Sequence, residues 1–188
     1  NLLGFFTGPL TGFPSIEGNR FVVVCKSPLT DTWGDANCGG TFGPHLKFAG
    51  YDGILFSGMA AKPVYLVIED GQAELRDAEF LWGKDTNQTE DILKETLGES
   101  QGRGGKQVEV ASIGQTGEKL SLLAGIINDK GRAAGRSGVG AVMGSKRLKA
   151  IAVSGSAPVP LADEEKAQEL RKKYMKRTGG AHELFVQY

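Results

Sequence analysis

Cysteine and histidine are scarce in this sequence, and their scarcity excludes several kinds of site. The chain has two cysteines, Cys25 and Cys38, and two histidines, His45 and His182. Two cysteines do not make a disulfide framework, and without C-x-x-C spacing they cannot supply the four thiolates of an iron–sulfur cluster. The separation of the histidines argues against a histidine metal site. A reducing, cytoplasmic compartment is predicted.

Net charge and long apolar runs are missing as well. The 22 basic residues equal the 22 acidic ones, so no nucleic-acid partner is expected. No apolar run is long enough to span a bilayer. Residues 1–6 lack an initiator methionine and the basic region of a signal peptide, and the sequence stops abruptly at Tyr188. These features predict a segment of a longer chain without a membrane span.

Glycine, in contrast, is abundant. The chain has 28 glycines among 188 residues, about twice the average usage of roughly 7%. They are not periodic and are interleaved with valine, isoleucine and leucine, which excludes a collagen or a flexible linker. Dense glycine in a globular chain indicates many tight turns and places where the backbone closely approaches something.

Grouped strands with irregularly inserted helices predict an α+β fold. Runs of β-branched and aromatic residues predict strands at residues 2–7, 20–26, 53–57, 108–113 and 148–154, and a hairpin of residues 63–69 and 72–76 around Asp70-Gly71. Apolar spacing predicts helices at residues 39–50, 89–97, 118–127 and 163–177.

A proline-rich stretch, Pro158-Val159-Pro160, predicts a domain boundary. Residues 1–157 are expected to form one domain. Residues 158–188 are expected to form a linker and the beginning of a second, helical domain. The polar residues 99–106 predict an exposed, mobile loop.

The first glycine-rich segment, residues 33–43, reads WGDANCGGTFG. It follows a strand and opens a helix, where backbone N–H groups can bind an anion. Asn37 can offer a side-chain amide or a backbone carbonyl to a ligand. Trp33 and Cys38 are expected to be buried. A set of tight turns without a ligand is the alternative interpretation.

The second glycine-rich segment, residues 128–140, carries the local basic cluster of an otherwise neutral chain. With the residues that follow, this cluster comprises Lys130, Arg132, Arg136, Lys146, Arg147 and Lys149. Arginines among small residues suit phosphate oxygens, which a guanidinium binds with two parallel hydrogen bonds. Arg20 is a candidate for a third basic arm. A solvated basic surface is the alternative, and neither G-x-G-x-x-G nor Walker spacing occurs.

At these segments the chain resembles the aldehyde ferredoxin oxidoreductase family. The matching stretches, in order, are GPLTG at 8–12, KSPLT at 26–30, ANCGG at 36–40, LKFAGYD at 46–52, LWGK at 81–84, Ile113-Gly114 with Gly117-Glu118, RAAGR at 132–136 and GAVMGSKRLKA at 140–150. They cover nearly the whole chain, and an eleven-residue match such as the last is highly specific.

The resemblance implies an N-terminal domain of two β-sheets with pseudo-twofold symmetry and a few inserted helices, which forms the base for a tungsten or molybdenum bis-pterin cofactor. The positions that match cofactor-contacting residues are Arg20, Asn37, Gly39, Arg132, Ala133, Gly135 and Arg136. The resemblance also implies that the backbone carbonyls of Asn37 and Ala133 bind a Mg²⁺ ion that bridges the pterin phosphates. Oxygen ligands of this kind suit a hard cation. Arg20 is implied to lie between the cofactor and a 4Fe-4S cluster.

The sequence departs from the family at a few positions. Cys38 stands where serine is common, and Gln115-Thr116 replaces a common Pro-Ala. The family's cluster cysteines and acid/base residues lie in later domains, so no catalytic residue is predicted in this segment.

The resemblance implies oxidation of aldehydes to carboxylic acids, with electrons passed through the 4Fe-4S cluster to ferredoxin or an iron–sulfur subunit. A tungsten subunit of a benzoyl-CoA reductase, acting on an aromatic acyl-CoA, is a second hypothesis within the same family. A non-enzymatic phosphate- or nucleotide-binding module is a third, from another class. The full-length form is expected to be an oligomer, and the sequence does not distinguish tungsten from molybdenum.

Overall fold

The computed structural model describes residues 1–13, 18–98 and 107–185, with side chains up to residue 176. The strands are β1 (Leu3–Thr7), β2 (Phe21–Lys26), β3 (Trp33–Cys38), β4 (Gly53–Phe56), β5 (Val64–Glu69), β6 (Gln72–Asp77), β7 (Glu109–Ser112), β8 (Ile126–Asn128), β9 (Arg132–Ala134) and β10 (Leu148–Ser154). The helices are α1 (Phe42–Phe48), α2 (Thr86–Gly98), α3 (Gln115–Glu118), α4 (Val139–Ser145) and α5 (Glu164–Phe185), with a 3-10 turn at Glu79–Leu81.

The smaller sheet has four antiparallel strands in the order β3-β2-β1-β4. Strands β2 and β3 alternate between buried and more exposed residues, as a period of two requires for a sheet with one face on the core. In β2, Phe21, Val23 and Cys25 are buried, whereas Val22 and Val24 are only partly covered. The sheet therefore has a defined inner face.

The larger sheet has six strands in the order β6-β5-β10-β7-β8-β9. Its central strand, β10, runs parallel to β5 and antiparallel to β7. Every residue of β10 is buried, because both faces of the sheet are covered at this central strand. Strand β3, at an edge of the smaller sheet, lies against β9, at an edge of the larger sheet.

Helices α1 and α4 lie between the sheets and contact strands of both. The aromatic rings of Phe5, Phe21 and Phe42 join β1, β2 and α1 in this core, with ring centroids 6.5 Å apart for Phe5–Phe21 and 5.0 Å for Phe21–Phe42. A second apolar cluster, on the other face of the larger sheet, packs Leu93 of α2 against Tyr65 and Val110. The predicted α+β architecture of two sheets with a few helices is confirmed.

Several local predictions were wrong at identifiable positions. Residues 118–127 do not form a helix: the single turn α3 ends at Glu118, Leu120 has a left-handed φ of 58°, and β8 begins at Ile126. Trp33 is 73% exposed rather than buried, because the alternation of β3 turns Gly34, Ala36 and Cys38 inward.

Three further predictions concern a helix, a loop and a domain boundary. Helix α2 is confirmed around the predicted residues 89–97. The loop at 99–106 lies outside the described residues, and the domain boundary near Pro158 stays a prediction. None of the described helices is both long and apolar enough to cross a membrane.

Candidate functional site

The first cluster of predicted site residues is assembled by β2 and β3. Asn37 is exposed on β3 and pairs in register with Val22. Arg20, which immediately precedes β2, donates from Nε to Asn37 Oδ1. A Cβ added at Gly39 would lie 3.3 Å from Arg20 Nη1, so the guanidinium packs directly over that glycine. Arg20 and Asn37 also line a cavity of about 400 Å³ that Gly8 and Gly18 border.

The second cluster lies on the β8–β9 hairpin. Asp129 and Lys130 have φ angles of 46° and 59°, the left-handed pair that a tight hairpin turn requires. Arg132 and Ala133 follow on β9, and both are exposed. Gly135 and Arg136 come directly after this strand and are also exposed. Among the described residues, neither Arg132 nor Arg136 forms an ion pair.

The two glycine-rich segments meet through four hydrogen bonds that involve side chains. Asp129 accepts from Thr41, through one oxygen from the backbone N–H at 2.8 Å and through the other from the hydroxyl at 2.7 Å. The Ser137 hydroxyl donates to the carbonyl of Asp35 at 3.0 Å. The fourth bond joins two buried groups, the amide of Asn128 and the sulfur of Cys38, at 3.2 Å.

Glycine permits this close contact between the segments. A Cβ at Gly34 would lie 2.8 Å from the Cβ of Ser137, and one at Gly138 would lie 2.7 Å from Cγ of Pro28. Gly138 also has a left-handed φ of 68°. The abundance of glycine noted in the sequence thus serves close backbone approach here as well as turns.

The contact between the two glycine-rich segments, called the joint below, includes one thiol with a shifted pKa. Burial raises the pKa of the Cys38 thiol above its ordinary value, and the hydrogen bond from Asn128 and the charge of Arg20 only partly offset it. The predicted burial of Cys38 is confirmed, since its side chain is 2% exposed. A buried, protonated thiol is a packing and hydrogen-bonding group rather than a nucleophile.

The arrangement is suited to an anionic ligand that carries phosphate groups. Exposed guanidinium groups beside glycine-rich backbone are the groups that bind phosphate oxygens best in proteins. Asn37 and Ala133 both lie on edge strands, where alternate carbonyls point away from the ladder and stay available to a cation. Among the described residues, no group of three or more His, Cys, Asp or Glu side chains could hold a metal ion.

The sequence pattern did not reveal the residues that join the segments. Asn128, Asp129 and Thr41 were visible only as parts of glycine-rich stretches. The Asn-Asp-Lys-Gly order of residues 128–131 is a signal for a hairpin turn, but the partner of Asp129 is 88 residues away in the chain. No local pattern identifies such a partner.

A comparison with known families decides the relationship. The sequence model described as "Aldehyde ferredoxin oxidoreductase, N-terminal domain" matches residues 1–155 of the chain. The chain belongs to the aldehyde ferredoxin oxidoreductase family.

Individual members of the aldehyde ferredoxin oxidoreductase family agree. The tungsten-containing aldehyde ferredoxin oxidoreductase of Pyrococcus furiosus is 52% identical over 166 residues, which are 88% of this chain and 26% of that protein. The enzyme of the same name from Thermococcus kodakarensis is 51% identical over 166 residues, with the same shares of both chains. The aliphatic sulfonate oxidoreductase, WOR-like subunit, of Pyrococcus furiosus is 38% identical over 183 residues, which are 94% of this chain and 29% of that protein.

A solved structure confirms the fold of the family domain. The active-site complex BamBC of benzoyl coenzyme A reductase, in complex with 1,5-dienoyl-CoA, superposes with a TM-score of 0.86 at 38% identity, covering 96% of this chain and 27% of the other. The chain spans about a quarter of the length of the relatives it matches.

Proposed function

We propose that this chain forms the cofactor-binding domain of a tungsten-dependent oxidoreductase and holds the phosphate groups of a bis-pterin cofactor. The observation that supports the proposal most is the meeting of the two glycine-rich segments, one with Arg20 laid over Gly39 and bonded to Asn37, the other with Arg132 exposed on the adjoining strand. Tungsten is favoured over molybdenum because the aldehyde-oxidising relatives are named tungsten-containing.

The chain's own residues bind and orient in this proposal. Arg20, Arg132 and Arg136 provide charge-assisted hydrogen bonds to phosphate oxygens, and Gly39 and Gly135 let the ligand approach the backbone closely. Asn37 fixes the plane of the Arg20 guanidinium by accepting from its Nε. The backbone carbonyls of Asn37 and Ala133 would hold a Mg²⁺ ion, which would neutralise phosphate charge.

When bound, the metal–pterin centre would supply the two-electron chemistry. The proposed reaction of the full-length enzyme is oxidation of an aldehyde to a carboxylic acid. A 4Fe-4S cluster held mainly by parts of the protein outside this chain would supply onward electron transfer, with ferredoxin or an iron–sulfur subunit as the proposed acceptor.

A benzoyl-CoA reductase subunit is the second candidate, because the structural match is to such a complex. Aldehyde oxidation ranks first because the chain is 52% identical to an aldehyde ferredoxin oxidoreductase and 38% identical to the benzoyl coenzyme A reductase chain. Assays of the full-length enzyme with an aldehyde and with an aromatic acyl-CoA separate the two.

The proposed phosphate arm is tested by Arg132→Ala in the full-length enzyme, produced with tungstate and molybdate supplied. Loss of a charge-assisted pair weakens binding by about 1.5–3 kcal/mol, or roughly 10- to 100-fold. The variant should therefore retain much less metal and pterin, measured by plasma mass spectrometry and pterin extraction, while circular dichroism shows that the domain stays folded. Arg76→Ala is the control, since Arg76 lies on the far edge strand β6.

Normal metal and pterin content in the Arg132→Ala variant would remove Arg132 from the site. Absence of both metals and of pterin from the wild-type protein would overturn the redox function. A phosphate-binding module without redox chemistry would then be the better description.

A further inference from the structure

The apex of the β8–β9 hairpin is hydrogen-bonded to the first glycine-rich segment at two residues, Thr41 and Cys38. Both carboxylate oxygens of Asp129 are taken by Thr41, at 2.8 Å from its backbone nitrogen and 2.7 Å from its hydroxyl. The neighbouring residue, Asn128, is fully buried and donates to Cys38. Two consecutive residues of one segment therefore hold two positions, 38 and 41, of the other.

Gly40, which lies between Cys38 and Thr41, makes these close contacts possible. A Cβ on Gly40 would lie 2.3 Å from Asp129 Oδ2 and 2.4 Å from Asn128 Oδ1. Its φ of +107° is also one that other residues rarely adopt. Asn128 Oδ1 is the buried side-chain oxygen without a hydrogen-bond partner among the described residues, so close contact with Gly40 is kept at some cost.

The hairpin apex is fixed from its other side by α2. Glu90 of this helix is 3% exposed, and its Oε2 accepts the backbone N–H of Lys130 at 3.0 Å. The other carboxylate oxygen of Glu90 pairs with Lys94 at 2.9 Å. The apex therefore cannot slide toward or away from the first segment without breaking bonds on one of its two sides.

The hydrogen bonds of the hairpin apex lie between the two proposed phosphate arms, Arg20 and Arg132. Arg132 begins β9 two residues after Lys130, and Arg20 is bonded to Asn37, the residue before Cys38. Any shift of the hairpin apex would displace Arg132 relative to Arg20. A ligand with two phosphate groups is sensitive to that spacing, because both arms must reach it at once.

We propose that Asp129 is a positioning residue that sets the spacing between the two phosphate arms of the cofactor site. The inference rests on the function proposed above. In this proposal Asp129 acts through β9 and Arg132 rather than on the ligand directly, because each of its oxygens already accepts a hydrogen bond from Thr41.

A purely structural role must be separated from this one. Thr41 makes no side-chain capping bond at the start of α1, so Asp129 also serves that helix as a cap supplied from another segment. A positioning role predicts loss of cofactor through Arg132, whereas a cap alone predicts loss of thermal stability only.

The test uses four variants of the full-length enzyme: Asp129→Ala, Asp129→Asn, Asp70→Ala and the double variant Asp129→Ala/Arg132→Ala. Asp70 is the matched control because it occupies a hairpin turn with a similar φ of 43° but lies in the β5–β6 turn. Asn at position 129 is the conservative rescue, since its amide oxygen can accept from the Thr41 N–H while its amide N–H donates to the Thr41 hydroxyl. The readout is tungsten and pterin per protein after prolonged dialysis below the unfolding temperature, with the thermal midpoint measured alongside.

Asp129→Ala should retain about five- to tenfold less metal and pterin, while Asp129→Asn and Asp70→Ala stay near wild type. Adding Asp129→Ala to Arg132→Ala should lower retention little further, because the two changes act on one arm. Wild-type retention in Asp129→Ala, or losses that multiply in the double variant, would overturn the positioning role while Arg132→Ala alone still supports the cofactor site. Wild-type retention in Arg132→Ala as well would overturn both proposals.

Discussion

At the residue scale, Gly40 decides how closely the two glycine-rich segments can approach. Two oxygen atoms, one from Asn128 and one from Asp129, occupy the space that a side chain at position 40 would need. The same residue has a backbone conformation that favours glycine. Position 40 is therefore constrained twice, by its conformation and by its neighbours.

Gly40→Ala should accordingly destabilise the protein by about 2 kcal/mol or more, from strain and overpacking together. Gly71→Ala is the matched control, because Gly71 has a φ of 84° but no atom within 4 Å of an added Cβ. The thermal midpoint of the full-length protein should fall clearly further for Gly40→Ala. Equal decreases for the two variants would show that the neighbours of Gly40 move aside without cost.

The residue scale also marks a limit of sequence reasoning. Arg20, Asn37 and Gly39 were named from the sequence, and the structure brings them into contact. Thr41 and Asp129 were not named, because a bond across 88 residues has no local pattern. The basic arms were predicted from the sequence pattern and matched to cofactor positions by resemblance, whereas the contacts that fix their positions emerged only from the fold.

At the scale of elements, one buried ion pair connects β10, α3 and the loop that contains Gly83 and Lys84. Lys149 is fully buried at a register irregularity of β10, with its Nζ 2.5 Å from Glu118 Oε1 at the end of α3. The same ammonium donates to the carbonyl of Lys84, and Glu118 accepts the backbone N–H of Gly83. Burial lowers the pKa of Lys149, and the nearby Glu118 opposes that shift.

Lys149→Met should be strongly destabilising, by about 3–5 kcal/mol, because it leaves Glu118 buried without its counter-charge. The double variant Lys149→Met/Glu118→Leu should recover much of that loss, since it removes both charges. Hydrogen exchange followed by mass spectrometry should show the effect in the peptide that contains Gly83. Unchanged exchange in Lys149→Met would mean that other contacts hold this loop.

Elements differed in how well the sequence predicted them. The β5–β6 hairpin and β10 follow from alternation, an Asp-Gly turn and a long apolar run, which are local signals. The edge strand β3 and the short strand β9 were missed because their residues read as glycine-rich loop, and β8 was missed because most of it was assigned to the helix predicted at 118–127. The helix predicted at 118–127 failed because Leu120 leaves helical conformation and Leu122 and Leu123 are exposed rather than buried.

At the scale of the whole molecule, the two sheets enclose both cysteines. Cys25 is 5% exposed and Cys38 2% exposed. Burial raises the pKa of each thiol above the ordinary value of 9.0. When the folded-state pKa lies above the unfolded-state pKa, the associated stability is fully present below the unfolded-state pKa. It is lost as the pH rises through the folded-state pKa.

Both thiols should therefore resist iodoacetamide in the folded protein and react once guanidinium unfolds it. Peptide mapping by mass spectrometry distinguishes them from other cysteines of the full-length enzyme. The stability advantage of wild type over Cys25→Ala should also shrink as the pH rises above about 9. Rapid alkylation of Cys38 under native conditions would show that the joint between the segments opens readily.

The central position of β10 has a consequence for biosynthesis. This strand is the last of the larger sheet to be synthesised, yet it lies between β5 and β7. Until it emerges from the ribosome, the β5–β6 hairpin and the β7–β8–β9 meander have no common partner, and their unpaired edges are open to misassembly. Because α1 and α4 both pack against β10, we expect the two glycine-rich segments to come together only after this strand is in place, late in the life of the nascent chain.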